Sequence, residues 1–101
     1  MPCKGGTPPL PPDAARKLKG DLDPAWELVR DHHLARTVRF PDFATALAFV
    51  NRIGKIAEAE NHHPDLTLGW GKVGIEIFTH AIDGLTESDF VLAAKFDRAA
   101  K

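Results

Sequence analysis

An apolar stripe between two prolines constrains the fold of this chain more than any other feature. Between Pro41 and Pro64, apolar or small residues recur at the spacing of one helix face: Phe43, Ala46, Leu47, Val50, Ile53, Gly54 and Ala57. Asp42 is a good N-cap residue for this helix. Pro64 disfavours helical backbone in the residue before it, so His62 is predicted at or just past the last turn.

Strand patterns occur in pairs on both sides of this helix, and their ranges are 26–29 and 34–40 before it and 66–68 and 73–79 after it. In the last strand His80 ends the segment and faces away from the apolar row of Val73, Ile75 and Ile77. Gly71, in the turn before that strand, suits a positive φ angle.

Two further helices are predicted outside the hairpins. A short one covers residues 14–19, and a longer one begins at the capping-box sequence Thr86-Glu87-Ser88-Asp89 and ends near Ala99. The element order is therefore α-β-β-α-β-β-α. We predict an α+β fold, with a four-stranded antiparallel sheet and helices packed on one of its faces.

The length of 101 residues suits a single domain. Because residues 1–12 carry five of the eight prolines, we predict a flexible Pro/Gly-rich leader there and one domain over residues 13–101. Cys3, in the leader, is interpreted as a mobile thiol without a disulfide partner. A domain this small has a modest core, and association with a second copy would bury more apolar surface.

The charge balance argues against several classes of partner. The net charge is −1, with 13 basic and 14 acidic residues, so no basic surface is expected for a nucleic acid or an anionic membrane. No apolar stretch approaches the roughly 20 residues that span a bilayer. The first residues also lack the apolar core of a signal peptide, which predicts a cytoplasmic protein.

Histidines form the main candidate site. The residues around the predicted end of the central helix are Glu58, Asn61, His62 and His63, and a hairpin could return His80 towards them. Imidazole accepts and donates protons near neutral pH, so this pattern is typical of acid–base chemistry. Two other interpretations remain open, a solvated helix end and a zinc site formed by the three histidines with Glu58.

Several of the other polar and aromatic residues have ordinary structural interpretations. Asp89 can cap the last helix, and Trp26 can be a core aromatic residue. Glu58 can be an exposed helix residue. His32 and His33 lie in a charged stretch before a strand and are interpreted as surface residues.

Longer motifs extend these local patterns. They are Ala57-Glu58-x-x-Asn61-His62-His63-Pro64-Asp65, then Trp70-x-x-Val73-x-Ile75-x-Ile77-x-Thr79-His80, then Gly84-Leu85-Thr86-x-x-Asp89, with Trp26 and Phe40-x-Asp42-Phe43 upstream. This series, over roughly residues 20–99, resembles the pterin-4a-carbinolamine dehydratase family. The chain departs from the family at Asn61, Trp70 and Gly71, where Asp, Tyr and Asn are common.

The resemblance implies an enzyme that dehydrates 4a-hydroxytetrahydropterins, the products of aromatic amino acid hydroxylases, to quinonoid dihydropterins. It implies that His62 and His80 donate protons to the leaving hydroxyl and that His63 orients the pterin. The substrate-binding residues that it implies are Glu58, Asn61, Trp26 and Asp89, of which Glu58 and Asp89 also fix the imidazole rings.

The resemblance also bears on partners and cofactors. It implies homodimers or homotetramers in which strands of partner subunits form a larger sheet, and a pterin that is substrate, with no metal or other cofactor. The alternative is a non-catalytic protein-binding or assembly scaffold, because some relatives are dimerisation partners of transcription factors. The presence of all three histidines favours the enzyme over the scaffold, and a metal-binding module is the weakest of the three hypotheses.

Overall fold

Three helices and a four-stranded antiparallel sheet make up residues 8–100, the part of the chain that the computed structural model describes. The helices are α1 (Pro12–Lys19), α2 (Phe43–Glu60) and α3 (Glu87–Ala99), and the strands are β1 (Glu27–Val29), β2 (His33–Arg39), β3 (Asp65–Gly69) and β4 (Lys72–Ile77). A single 3-10 turn, His80–Ile82, follows β4. The predicted α+β class and the order α-β-β-α-β-β-α are confirmed.

The two hairpins meet through their second strands, which gives the strand order β1-β2-β4-β3. β2 and β4 pair along six residues each, from Leu34 opposite Ile77 to Arg39 opposite Lys72. Side chains alternate between the two faces of the sheet, and Leu34, Val73 and Ile77 are buried on the face that the helices cover. α2 contacts β3 and β4 there, and α3 packs beside α2.

Helix α2 begins and ends where the sequence predicts. The carboxylate of Asp42 accepts a 2.8 Å hydrogen bond from the Thr45 backbone N–H, which caps the first turn. The predicted apolar stripe, however, is wider than the part of the helix surface that is buried. Phe43 and Leu47 remain exposed, because they lie about 80° and about 120° around the helix from buried Ile53.

Two predictions about β4 are corrected. The strand ends at Ile77, so His80 lies in the 3-10 turn and not at a strand end. The backbone N–H of Thr79 instead bonds the Gly84 carbonyl at 2.8 Å, which closes the loop that contains this turn. Gly71 is suited to its turn by space, since a Cβ there would lie 2.9 Å from the Phe40 carbonyl oxygen, and its φ angle is not in the positive range.

The end of the predicted leader packs on the domain. Leu10 is partly buried against the core, and its backbone N–H donates to the Leu85 carbonyl at 2.8 Å. α1 begins at Pro12, slightly before the predicted start. Residues 1–7, and with them Cys3, lie outside the described residues. Within residues 8–100, no helix has the length and apolar character that crossing a membrane requires.

Candidate active site

The three histidines predicted as a site line one cavity of about 280 Å³. Two segments of chain form it, one that follows α2 and one that follows β4, and the lining residues are Asn61, His62, His63, Pro64, Asp65, Thr79, His80 and Ala81. The β3–β4 hairpin brings the two segments together, because β3 begins directly after the first and β4 ends directly before the second. This volume is near the lower end of small-molecule sites.

The end of α2 turns the first two histidines in different directions. Asn61 adopts the left-handed conformation, with φ 52°, as helix C-cap residues often do. The backbone N–H of His62 then donates to the Ala57 carbonyl at 3.1 Å, and Pro64 prevents further helix. As a result the His62 side chain is mostly buried, whereas that of His63 is more than half exposed.

His62 pairs with a fully buried carboxylate. Its Nε2 lies 2.5 Å from Oδ1 of Asp89, whose side chain is 0% exposed. A carboxylate only accepts hydrogen bonds, so Nε2 of His62 carries the proton in this contact. In the neutral ring the other nitrogen, Nδ1, is then a proton acceptor.

A second set of donors holds the other oxygen of Asp89. The Thr79 hydroxyl donates to Oδ2 at 2.9 Å, and the Thr86 backbone N–H donates to it at 2.8 Å. The second of these bonds belongs to the predicted capping box of α3, which is confirmed. One carboxylate thus caps the helix through Oδ2 and binds His62 through Oδ1.

His63 and His80 also face carboxylates through Nε2, but near solvent. The distance is 3.2 Å from His63 to Oε2 of Glu58, and 3.5 Å from His80 to Oδ2 of Asp65. All four side chains are more than half exposed, so these contacts restrain the rings less than Asp89 restrains His62. The three imidazoles thus share one feature, a carboxylate oxygen near Nε2.

Asp65 and Thr79 are part of this site but were not predicted as site residues. Asp65 follows His63-Pro64 directly, so its position beside the histidines was visible in the sequence. Its pairing with His80 depends on the β3–β4 register and was not visible. Thr79 was predicted as the last residue of a strand, and only the fold shows its hydroxyl bonded to Asp89.

Trp26 lies elsewhere, and its predicted place in the pocket is not found within this chain. The residue is 1% exposed and belongs to the core. Its indole N–H donates to Oδ1 of Asp97 at 2.6 Å, and the same oxygen accepts a 2.5 Å hydrogen bond from Arg36. A buried indole N–H needs such a partner, and neither Trp26 nor Asp97 is among the residues that line the histidine cavity.

The carboxylate of Glu60, two residues before His62, is held by a lysine. The side chain of Glu60 borders a neighbouring cavity that His62 also lines. A 2.7 Å hydrogen bond from Lys95 holds the pKa of Glu60 below its usual value. Within residues 8–100, no group of three or more His, Cys, Asp or Glu side chains is arranged to hold a metal ion.

The other histidine pair differs from its prediction. His33 was expected at the surface but is buried at the start of β2. His32, in the β1–β2 turn, is partly buried, and its Nδ1 lies 3.0 Å from Nδ1 of His33. β2 begins one residue earlier than the sequence indicated, which brings His33 into the sheet opposite Val29.

Comparison with protein families gives one consistent match. The family model described as Pterin 4 alpha carbinolamine dehydratase matches residues 8–99. A protein of Rubrobacter xylanophilus named "Putative pterin-4-alpha-carbinolamine dehydratase" is 58% identical over 98 residues, covering 97% of this chain and 91% of that protein. One of the same name from Alkaliphilus metalliredigens is 52% identical, covering 97% and 88%.

Solved structures agree on the fold. A transcriptional coactivator/pterin dehydratase from Brucella melitensis superposes with a TM-score of 0.85 at 28% identity, over 92% of this chain and 99% of that one. A pterin dehydratase-like RuBisCO assembly factor of the alpha-carboxysome superposes with a TM-score of 0.65 at 23% identity, over 75% and 89%. The second similarity extends to the fold alone.

Proposed function

The chain belongs to the pterin-4a-carbinolamine dehydratase family, and we propose that it converts 4a-hydroxytetrahydropterin to quinonoid dihydropterin by acid–base catalysis with His62, His63 and His80. One observation carries the proposal beyond family membership. The three histidines line a single cavity, and each places Nε2 near a carboxylate oxygen. We propose that the other ring nitrogen, Nδ1, serves the substrate in each case.

The proposed reaction needs one proton given and one taken. The C4a–O bond breaks as the hydroxyl is protonated and leaves as water, and N5 loses its proton as the N5=C4a double bond forms. No electrons are transferred to another molecule, so the balance requires no redox cofactor. Each well-positioned proton transfer of this kind contributes on the order of 10²–10⁴-fold to the rate.

The surroundings of the rings support different roles. We assign His62 and His80 to protonation of the leaving hydroxyl, and His63 to orientation of the pterin. The imidazole that has given up its proton is then neutral and accepts the proton that N5 loses. His62 is the most firmly held, because its partner Asp89 is buried and fixed through both oxygens. Asn61 lines the cavity and is assigned to substrate binding. Glu58 is assigned to holding His63, which it contacts.

The test is the decay of freshly generated 4a-hydroxytetrahydropterin, followed by absorbance. We expect wild-type protein to accelerate it, and His62→Ala and His80→Ala to lower kcat by about 10²-fold or more. His63→Ala should raise KM more than it lowers kcat, since its proposed role is orientation. Asn51→Ala is the matched control and should retain wild-type rates. Asn51 lies on α2, the helix that ends just before His62, but it does not line this cavity.

A second proposed role is binding to other proteins. The Brucella melitensis relative is described as a coactivator as well as a dehydratase, and exposed apolar side chains on this chain include Phe43, Leu47 and Trp70. If folded wild-type protein does not accelerate the decay above buffer, the dehydratase proposal is wrong and this scaffold role becomes the leading one.

The proposal extends to assembly and context. We propose a homodimer or homotetramer, in which the outer edge of β3 pairs with a partner subunit; in residues 8–100, β3 is hydrogen-bonded only to β4. We also propose a cytoplasmic protein that acts on the product of an aromatic amino acid hydroxylase. That source is the reaction class that forms a 4a-hydroxylated pterin.

A further inference from the structure

The weakest-held histidine of the proposed site is His80. Its side chain is 56% exposed, and its nearest carboxylate oxygen, on Asp65, lies 3.5 Å away. Its closest ring contact is with Phe78, whose centroid lies 4.1 Å from that of the imidazole at an angle of 39°. The contact with partly buried Phe78 therefore limits the orientations of this ring more than the solvent-exposed ion pair with Asp65 does.

His32 contacts the chain on both sides of His80. Its ring centroid lies 4.8 Å from that of Phe78, two residues before His80. Its Nε2 lies 2.7 Å from Oδ1 of Asp83, three residues after His80. Asp83 caps the 3-10 turn that begins at His80, with φ 50° and its backbone N–H donating to the His80 carbonyl at 3.2 Å.

His32 is itself held in one orientation. The Asp83 carboxylate accepts from Nε2–H of His32, so in the neutral ring Nδ1 is an acceptor. His33, buried at the start of β2, supplies the Nδ1–H that this acceptor needs, across 3.0 Å. The ring of His32 is therefore fixed from the sheet, and it can transmit that position to Phe78 and the 3-10 turn.

We infer that His32 is a positioning residue for His80, acting mainly through the ring of Phe78. This inference rests on the proposed dehydratase function, because His80 has a catalytic role only there. The ring contact should matter more than the hydrogen bond, since the Asp83 side chain is 85% exposed and water competes for it. This positioning of His80 is distinct from any contribution that the same contacts of His32 make to the stability of the fold.

Substitutions at His32 separate these contributions. His32→Ala removes both contacts, and we expect kcat to fall about 10-fold with KM changed less than about 2-fold, because a misaimed proton donor slows the chemistry more than binding. His32→Phe keeps a ring against Phe78 and should recover most of the rate. Asp83→Asn keeps a hydrogen-bonding side chain in the left-handed conformation and should change kcat by less than about 3-fold.

A second route tests the same contact without changing His32. Phe78→Leu keeps an apolar side chain but removes the ring beside His80, so it should lower kcat about as much as His32→Ala. The double variant should be no slower than either single variant, because both break one chain of contacts. Asp31→Asn is the control and should match wild type. Asp31 lies in the same turn as His32 and has a left-handed φ of 54°, which asparagine also adopts readily.

A readout independent of turnover completes the test. The imidazole ¹⁵N and ring-proton NMR signals of His80 should move in His32→Ala and Phe78→Leu and return towards wild type in His32→Phe. Each variant is compared at a temperature well below its unfolding transition, so loss of stability alone does not alter the signals or kcat.

The outcomes separate the two proposals. If wild-type protein has no dehydratase activity, the proposed function is wrong, and the predicted changes in kcat are wrong with it. If wild type is active and His80→Ala is not, but folded His32→Ala and Phe78→Leu keep wild-type kcat and His80 signals, only the positioning role is overturned. Additive losses in the double variant would also overturn it, because independent effects do not share a path.

Discussion

The buried carboxylate of Asp89 makes Thr79 a sensitive position, and Thr79→Val tests that reasoning. Valine has nearly the same shape as threonine, so the packing around this buried residue is retained. What is lost is the hydroxyl that donates to Oδ2 of Asp89 at 2.9 Å, together with its 3.1 Å contact with the Thr86 hydroxyl. The backbone N–H of Thr86 still donates to the same carboxylate oxygen.

The expected loss of stability follows from the charge on the acceptor. Hydrogen bonds to charged groups contribute about 1.5–3 kcal/mol, and the Asp89 carboxylate has no exposed surface at which water could replace the lost donor. We therefore expect the free energy of unfolding to fall by about 2 kcal/mol. For a domain of this size that corresponds to a Tm lower by roughly 8–16 °C.

Urea denaturation followed by circular dichroism measures the change, with the m-value checked for constancy. Thr79→Ser keeps the donor and should recover most of the loss. Thr67→Val, the same substitution at an exposed position on β3, is the control and should change stability by less than about 0.5 kcal/mol. A loss below that same limit for Thr79→Val would show that the hydroxyl does not hold Asp89. On the proposed function, kcat of Thr79→Val should also fall, because the partner of His62 is less well fixed.

Three further predictions concern other parts of the molecule. Asp97→Ala leaves buried Trp26 and Arg36 without their shared acceptor, so urea denaturation should show a loss of roughly 3 kcal/mol. Hydrogen bonds from the Thr45 backbone and side chain lower the pKa of Asp42 in the folded state. The ionised Asp42 carboxylate therefore stabilises the folded state, fully above its unfolded-state pKa and progressively less as pH falls through its folded-state pKa. Wild type should lose more stability on acidification to pH 3 than Asp42→Asn does. Size-exclusion chromatography with light scattering should give a molar mass of two or four times the 11.1 kDa of one chain. A monomer at every concentration would contradict the proposed assembly.

Elements with local signals were predictable from the sequence. The Asp42 cap and Pro64 bound α2, and the capping box at Thr86 and Asp89 starts α3, because each depends on residues within one turn of the helix end. The strand pairs were visible from period-two alternation and short turns. Their boundaries moved by one or two residues, which was enough to misplace His33 and His80.

Surfaces between distant segments were not predictable in the same way. The helical pattern shows which α2 residues are apolar, but the sheet covers only the side that carries Ile53 and leaves Leu47 exposed. Arg36 is a charged residue in β2 whose mostly buried side chain binds Asp97, a residue in α3. No local signal links those two positions in the chain.

The candidate site shows the same division. The sequence alone determined the helix, the strand pairs, the α+β class and the three histidines, because periodicity, capping and residue type are properties of short segments. Only the tertiary structure decided that Nε2 of His62 faces Asp89, that Asp65 and Thr79 belong to the site, and that Trp26 lies in the core. Those relations depend on sheet register and on how α3 packs beside α2, which are set by the burial of the whole core and by no single segment.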